Sequence, residues 1–348
     1  SKTSKYVKEN KQMNKEFYVA DLDSTSDVLG ELNALNHWIR NNQDKKETHH
    51  IVIKREYEGE IHFQTKENFL PYVREAVEGW PEENVSLVMG DVHLKTNVKN
   101  WFAGTEYKEF NANLISTPFE LLRRTVVNKG NKAIPKPRHY DRKVKRFICL
   151  NGASKLHRAK LVTDLFENGM DSYGYISWIN RYGNNIHKKH FKNSKFQGQE
   201  LKLDFTGKEI DEGQNQEILP DPYHYAGFEI VNESIISDTS LFITEKTWKP
   251  VLYDKIFIVH GCKDTMKFLI NHGFEPYTEL YDHEAFDSLP YNERYSAMWN
   301  EIEKLIQYTP EDWTEIYSRN EMKSKLSHNR SVFEQMLIPS WRDIVNAG

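Results

Sequence analysis

The sequence predicts an α/β protein with two domains, and three observations support this. Short apolar runs rich in β-branched residues alternate with helical patterns through both halves of the chain. The 348 residues exceed one ordinary domain and suffice for two, and a basic stretch with Gly and Pro separates the halves. We expect a first domain at 1–134, a linker at 135–144, a second domain at 145–320, and helices at 321–348 that pack back on the first domain.

Composition narrows the class of protein. A net charge of -4 with 38% hydrophobic and 28% charged residues is typical of a globular chain and argues against a globally basic nucleic-acid binder. The sequence has no apolar run of transmembrane length and no apolar signal core near residue 1, so we expect a soluble, cytoplasmic protein without membrane contact. Cys149 and Cys262 fall in or just after predicted strands, which predicts reduced structural thiols, and no Cys/His spacing indicates zinc.

Four strands are predicted in the first domain, at residues 16–20, 50–54, 85–89 and 112–115. Ligands of such alternating α/β chains gather at the carboxyl ends of the strands. Asp91 and His93 follow the third strand, so either could be a general base that takes the proton of an acceptor hydroxyl. Glu56 and Glu58 are rivals for this role, and capping of the next element is the structural alternative for Asp91 and His93.

The first strand is followed by Asp21-Leu22-Asp23. Two carboxylates at this spacing could hold a divalent metal and a phosphate. No nucleotide-binding segment of substantial length precedes them, however, so we favour a helix cap at Asp23 or Ser24 and predict no metal site.

Two segments concentrate positive charge. Residues 123–146 contain ten Lys or Arg and a single acid, and a second basic cluster spans 187–192. Both could contact a phosphate backbone or a polyanionic acceptor, and a solvated linker and loop are the alternative. The residues proposed for such contacts are Arg138, Arg142, Lys188 and Lys189.

The second domain opens with a strand at 145–150, a turn at 151–154 and a helix at 155–166. A strand that leads through a tight turn to a helix N-terminus is the geometry that cradles phosphate. Asn151 lies in this turn and Arg158 emerges one turn into the helix. A strand at 173–177 follows.

The pattern of residues 228–261 predicts a further strand–helix–strand unit. The strands are 228–231 and 256–259, and Thr244 is the expected N-cap of a helix over 245–254 that Pro250 would kink or shorten. Lys246 in the first turn opposes the helix dipole, whereas Glu245 suits it. A bound anion would resolve this conflict, and simple solvation of Lys246 is the alternative. Further helices are expected at 264–272, 295–307 and 311–345.

The runs N-E-S, F-I-T-E-K and I-F-I-V-H-G within 228–261 resemble the donor-binding segment of the α1,3-fucosyltransferase family. That family has a similar F-E-N-S, then Y-V-T-E-K, a helix and a strand like V-P-V-V-x-G. The resemblance covers about a tenth of the chain. It departs at Asn232-Glu233, where the family has Glu-Asn, and at Ile256-Phe257, where the family usually has a Pro. A weaker similarity places Arg158 after a strand and a turn, with Asn151-Gly152 in place of Ser-Asn.

The resemblance implies two Rossmann-like domains that face each other across a cleft, the GT-B glycosyltransferase architecture. It also implies transfer of a sugar from a nucleotide-sugar donor with inversion and without a metal or other cofactor. Glu245 would receive the ribose hydroxyls, while Lys246 and Arg158 would neutralise the diphosphate. Asp91 would deprotonate the acceptor. The donor-binding residues implied are Asn151, Arg158, Asn232, Thr244, Glu245 and Lys246.

The acceptor has two candidates. One is a saccharide, which we favour because the net charge is negative and the basic linker has a simple structural explanation. The other is DNA with a hydroxymethylated base, as in phage-type DNA glucosyltransferases of this architecture, because Tyr140, Trp178 and Phe191 lie in or near the basic segments; the base would have to be extruded from the duplex. A non-catalytic nucleotide-sugar or glycan binding protein and a metal-dependent transferase that uses Asp21 and Asp23 are the remaining alternatives.

Overall fold

The computed structural model describes residues 16–22, 27–55, 70–92, 94–103, 112–116, 142–152, 155–179, 191, 193–201, 203 and 221–336. The chain divides into two compact units, Ser1–Glu120 with Pro339–Gly348, and Leu121–Ile338. The described strands form one parallel four-stranded sheet in each unit. This confirms the predicted mixed α/β class and the two parallel sheets.

The first unit has its four strands in chain order, β1-β2-β3-β4, with every pair parallel. The strands are β1 (Glu16–Asp21), β2 (His49–Arg55), β3 (Val85–Met89) and β4 (Asn113–Ser116). The described helices are α1 (Val28–Asn41), α2 (Leu70–Ala76) and α3 (Leu94–Ala103). The cap of α1 is Asp27, whose carboxylate accepts the Gly30 amide at 2.8 Å. The expectation of a cap at Asp23 or Ser24 was therefore wrong, and those two residues lie outside the described part of the chain.

Both faces of the first sheet are covered, which explains its continuous apolar strands. One face packs Ile51 and Ile53 against the α1 stripe that includes Leu32, Leu35 and Ile39. The opposite face carries Val52, Val88 and Ile115.

The second unit has the strand order β6-β5-β7-β8, again with all pairs parallel. Its strands are β5 (Lys145–Cys149), β6 (Gly174–Ile176), β7 (Ala226–Asn232) and β8 (Ile256–His260). Its helices in the described residues are α4 (Leu156–Glu167), α5 (Glu245–Leu252), α6 (Thr265–Asn271), α7 (Tyr291–Gln307), α8 (Pro310–Ser318) and α9 (Asn320–Met336). Pro250 lies inside α5, which ends two residues earlier than predicted.

The direction in which the chain adds strands to the second sheet reverses between β5 and β7. From β5 the chain proceeds to β6 on one side, whereas β7 and β8 continue on the other side. In open parallel sheets the carboxyl ends of two such strands border a crevice, which is the usual ligand site. Asn151 follows β5 and Glu233 follows β7, so both lie at this switch point. The described strands of the first unit show no such reversal.

The last described helices pack on the second unit. Trp313 of α8 lies 5.3 Å from Phe228 of β7, between ring centroids, and Phe333 of α9 stacks on Trp248 of α5 at 4.6 Å. The range 321–348 was expected to pack on the first domain. Its described part belongs to α9 and packs on the second unit, whereas Pro339–Gly348 are assigned to the first unit. None of the described helices is long and apolar enough to cross a membrane.

The two cysteines are free and buried, as predicted. Burial raises the pKa of both thiols to about 12. They are therefore inert, structural thiols at neutral pH.

Candidate functional site

The start of α5 has the cap that the sequence predicts. Thr244 is extended, and its hydroxyl accepts the Lys246 amide at 3.3 Å. The Lys246 ammonium lies 2.7 Å from Glu245 Oε1 and donates to Ser234 Oγ at 3.0 Å. Burial raises the pKa of the Glu245 carboxyl, but the charges of Lys246 and Lys249 outweigh it and lower the pKa to about 2. With 21% of its side chain exposed, Lys246 is paired with Glu245 rather than simply solvated.

Glu233 organises this helix start from the end of β7. Its Oε1 accepts the Thr244 amide at 3.1 Å and the Thr247 hydroxyl at 2.5 Å. Its Oε2 accepts the Thr244 hydroxyl at 2.6 Å and the Ser234 amide at 3.0 Å. The residue is 1% exposed, so a buried carboxylate is satisfied by four donors. In the sequence, Glu233 stood out only as a departure from the family pattern. The signal that could have indicated its role is an acid followed by threonines on both sides of a helix start.

Three cations and a histidine converge on the same turn. Arg158 Nε and Nη2 donate to the Glu233 carbonyl at 3.1 and 3.0 Å. Lys155 Nζ donates to the Ser234 carbonyl at 2.6 Å, beside the Lys246 contact described above. We call Lys155, Arg158 and Lys246 the cation cluster. It joins the starts of α4 and α5 at the switch point of the sheet.

His157 has a defined tautomer. Its Nε2 lies 2.8 Å from the Glu233 carbonyl, which can only accept, so Nε2 carries the proton. Burial lowers the pKa of His157 to about 4, and the ring is neutral at pH 7. Its Nδ1 is therefore a hydrogen-bond acceptor, and it has no hydrogen-bond partner among the described residues.

The two predicted donor-binding asparagines brace the switch point. Asn232 Nδ2 donates to Asn151 Oδ1 at 2.9 Å, which connects the ends of β7 and β5. Asn151 Nδ2 donates to the Ser177 carbonyl at 3.1 Å, and Asn232 Oδ1 lies 2.9 Å from His260 Nδ1. Both asparagines are at most 1% exposed. Their amides are bonded within the protein and hold the two strand ends together.

A cleft of about 600 Å³ adjoins the cation cluster. It lies between α4, the loop after β7 and the first residue of α7, and His157 lines it. Its apolar lining is Leu156, Ile236 and Tyr291, and its charged lining is Lys160, Asp164 and Asp238.

In the first unit, Asp91 lies at the carboxyl end of β3, as predicted. Its carboxylate accepts the Asn97 amide at 2.7 Å, and its carbonyl accepts the Ser116 hydroxyl at 2.8 Å. The residue is 0% exposed. At the end of β2 the chain also buries Lys54, 3.5 Å from Asp21, and Arg55. These two cations were missed, although a Lys-Arg pair that directly follows an apolar run could have indicated them.

The proposed polyanion contacts fall mostly outside the described residues. Arg142 is described, with 81% of its side chain exposed, and forms a surface pair with Glu311 at 3.4 Å. Among the described residues, no group of three or more His, Cys, Asp or Glu side chains could hold a metal ion. The predicted residues that lie outside the described part are Asp23, Glu56, Glu58, His93, Arg138, Tyr140, Lys188 and Lys189.

Two of the aromatic residues near the basic segments, Trp178 and Phe191, are buried and not available for base stacking. Trp178 is 1% exposed and Phe191 is 4% exposed. Their rings contact each other edge to face at 5.6 Å and both contact Phe196. Their faces belong to a buried aromatic cluster, so Trp178 and Phe191 do not give the support for a DNA acceptor that their position near the basic segments suggested.

Comparison of the chain with protein-family models, with curated proteins and with solved structures finds no significant match. The geometry of the second unit and the local resemblance at 228–261 are therefore the grounds on which a function can be proposed.

Proposed function

We propose that this protein is a glycosyltransferase that moves a sugar from a nucleotide-sugar donor to an acceptor hydroxyl. The observation that supports it best is the convergence of Lys155, Arg158 and Lys246 on one turn at the switch point of a parallel sheet. Two helices begin beside this turn, and helix N-termini favour anions. A site with this charge, at this place in the fold, suits the diphosphate of the donor. The resemblance at 228–261 agrees with it.

The cation cluster would supply the main catalytic effect. Transfer breaks the bond between the anomeric carbon and the diphosphate oxygen, and negative charge grows on the leaving diphosphate. Cations held beside this charge stabilise the transition state more than the ground state. The acceptor hydroxyl attacks the anomeric carbon and loses its proton to a general base, for which we propose Asp91 of the first unit. Because Asp91 is buried and bonded to Asn97, it must become exposed before it acts.

Lys246 is the cation best placed to exchange partners. Its side chain is 21% exposed and its contact with Ser234 Oγ is to a neutral hydroxyl, which a phosphate oxygen would replace with a stronger charge-assisted bond. Arg158, at 2% exposure, is held by the Glu233 carbonyl. We therefore expect Arg158 to contribute its charge while it stays in place, and Lys246 to move onto the ligand.

Thermal-shift screening against nucleoside diphosphates and nucleotide sugars tests the donor site. A specific ligand at a hundredfold excess over its dissociation constant should add about 2.7 kcal/mol of stability. Lys246→Ala should lose this shift. Lys267→Ala is the matched control, because it removes the same charge from a side chain that is 64% exposed on α6.

Three outcomes are informative. A shift that is lost only in Lys246→Ala supports the donor site. No shift with any ligand, with or without divalent metal, contradicts the proposal. Binding without transfer to a saccharide or to hydroxymethylated DNA would instead indicate the non-catalytic binding protein.

A further inference from the structure

The cleft beside the cation cluster differs from it in charge. The carboxylate of Asp164 is paired with Lys160 at 2.6 Å, and that of Asp238 with Arg294 at 2.7 Å. The four charges balance, whereas the three cations of the neighbouring cluster exceed the two carboxylates beside them, Glu233 and Glu245, by one positive charge. A ligand with an anionic and a neutral part would therefore place its anion on the cluster and its neutral part in the cleft.

The strongest acceptors that the cleft offers are the carboxylates of Asp164 and Asp238, beside the Lys160 ammonium that is bonded to one of them. Asp164 already accepts from Lys160 and from the Tyr295 hydroxyl at 2.5 Å, and Asp238 accepts from Arg294 and from the Tyr291 amide at 3.0 Å. A carboxylate has about four lone-pair sites, so each can accept further bonds. The side chains of Asp164 and Asp238 are 29% and 42% exposed. His157 Nδ1 adds a neutral acceptor at the border with the cluster.

The apolar walls favour a ring. Leu156 is 54% exposed at the start of α4 although it is a large apolar side chain. Ile236 and the Tyr291 ring also line the cleft. Aliphatic and aromatic faces bury a flat heterocycle well, and a few placed polar atoms then fix its identity.

We propose that this cleft is the nucleobase subsite of the donor and that it selects a base with an amino group, namely guanine, adenine or cytosine, over uracil or thymine. An exocyclic amino group offers two N–H donors to a carboxylate. Uracil and thymine have one N3–H donor between two carbonyls, and these carbonyls would face the carboxylate oxygens as further acceptors. The inference rests on the proposed function, because it assumes that the cation cluster binds the diphosphate of the same ligand.

Isothermal titration of the full chain with ADP, GDP, CDP, UDP, dTDP and inorganic pyrophosphate tests it. We expect at least one amino-bearing nucleotide to bind about tenfold tighter than both UDP and dTDP, which is the effect of one hydrogen bond to a charged group. Equal or tighter binding of UDP or dTDP overturns the inference.

Variants test whether the preference for an amino-bearing base arises in the cleft. Asp164→Asn should lower the advantage of the amino-bearing base about tenfold and leave pyrophosphate affinity unchanged. Glu293→Gln removes a carboxylate from an exposed position of the same helix as Tyr291 and should change neither affinity. Leu156→Trp fills the mouth of the cleft without a charge change and should weaken nucleotides but not pyrophosphate. If both Asp164→Asn and Leu156→Trp leave the base preference intact, the base binds elsewhere and the inference is wrong.

The design separates the two proposals. If neither pyrophosphate nor any nucleotide binds, the donor site fails and the subsite fails with it. If pyrophosphate and all five nucleotides bind with equal affinity, and Lys246→Ala weakens them all, the donor site stands and only the subsite is refuted.

Discussion

Replacement of Glu233 by glutamine tests whether its carboxylate stabilises the proposed donor site. The wild-type carboxylate accepts from the Thr244 amide, the Thr244 and Thr247 hydroxyls and the Ser234 amide, all within 3.1 Å. Glutamine keeps one accepting oxygen but places an NH2 group where the other oxygen was. The Thr244 hydroxyl can turn and accept from this group, whereas the Ser234 amide cannot and is left facing a second donor.

The cost follows from this count. One N–H that loses its acceptor costs about 1–3 kcal/mol, and the remaining bonds lose their charge assistance. We therefore expect Glu233→Gln to lower the free energy of unfolding by about 2 kcal/mol. Glu233→Ala leaves all four donors without this acceptor and should lower it by about 4 kcal/mol. Because α5 begins at these donors, both variants should also weaken nucleoside diphosphate binding through Lys246.

Urea unfolding measures the global effect, and hydrogen exchange of the peptide that covers 244–252 measures the local one. Glu233→Gln should accelerate exchange in this peptide. Glu293→Gln, at an exposed position, should leave both measurements unchanged. An unfolding free energy of Glu233→Gln within about 0.5 kcal/mol of the wild type would refute the assigned role of this carboxylate.

Three further predictions concern the second unit. Burial raises the pKa of Glu229 to about 7. Between pH 4.5 and 7 the folded protein therefore binds a proton that the unfolded chain has lost, so the free energy of unfolding should fall as the pH rises through this range. Glu229→Gln should flatten this slope and stabilise the protein by about 1–3 kcal/mol at about pH 8, and an unchanged slope in urea titrations would contradict the prediction. Gly227→Ala would clash with the Trp313 ring, so a loss of about 1–3 kcal/mol is expected in the same assay, and a neutral effect would count against this packing. Phe333→Ala removes the ring stacked on Trp248 and should cost about 3–5 kcal/mol, with faster exchange in α5; unchanged exchange there would argue against α9 as its support.

The strands and their alternation with helices could be predicted because they depend on local pattern. Apolar runs such as 256–259 match β8 closely, since a strand buried on both faces needs apolar residues throughout. Thr244 was identified as a cap for the same reason: the capping bond joins residues two positions apart. Asp91 was placed at the right strand end, but its burial was not foreseen, because exposure depends on neighbours distant in sequence.

The contacts of the candidate site could not be predicted from local pattern. Arg158 meets the Glu233 carbonyl across 75 positions of sequence, and this pairing follows only from the adjacency of β5 and β7. The sequence does not reveal that β5 and β7 are adjacent. From the sequence alone, Glu233 is therefore only a departure from the family motif, and His157 is an ordinary residue of a helix. Trp178 and Phe191 show the opposite failure: they looked available beside the basic segments, yet they are buried against each other.

We propose that the cation cluster binds the diphosphate that leaves during sugar transfer. Release of nucleoside diphosphate tests it most directly, measured with nucleotide sugars and a panel of saccharides and hydroxymethylated DNA as acceptors. We predict acceptor-dependent release by the wild type and by Lys267→Ala, and loss of about a hundredfold or more in Lys246→Ala, as expected when a charged contact to a transition state is removed. Equal release by wild type and Lys246→Ala, or no release with a donor that binds, would contradict it.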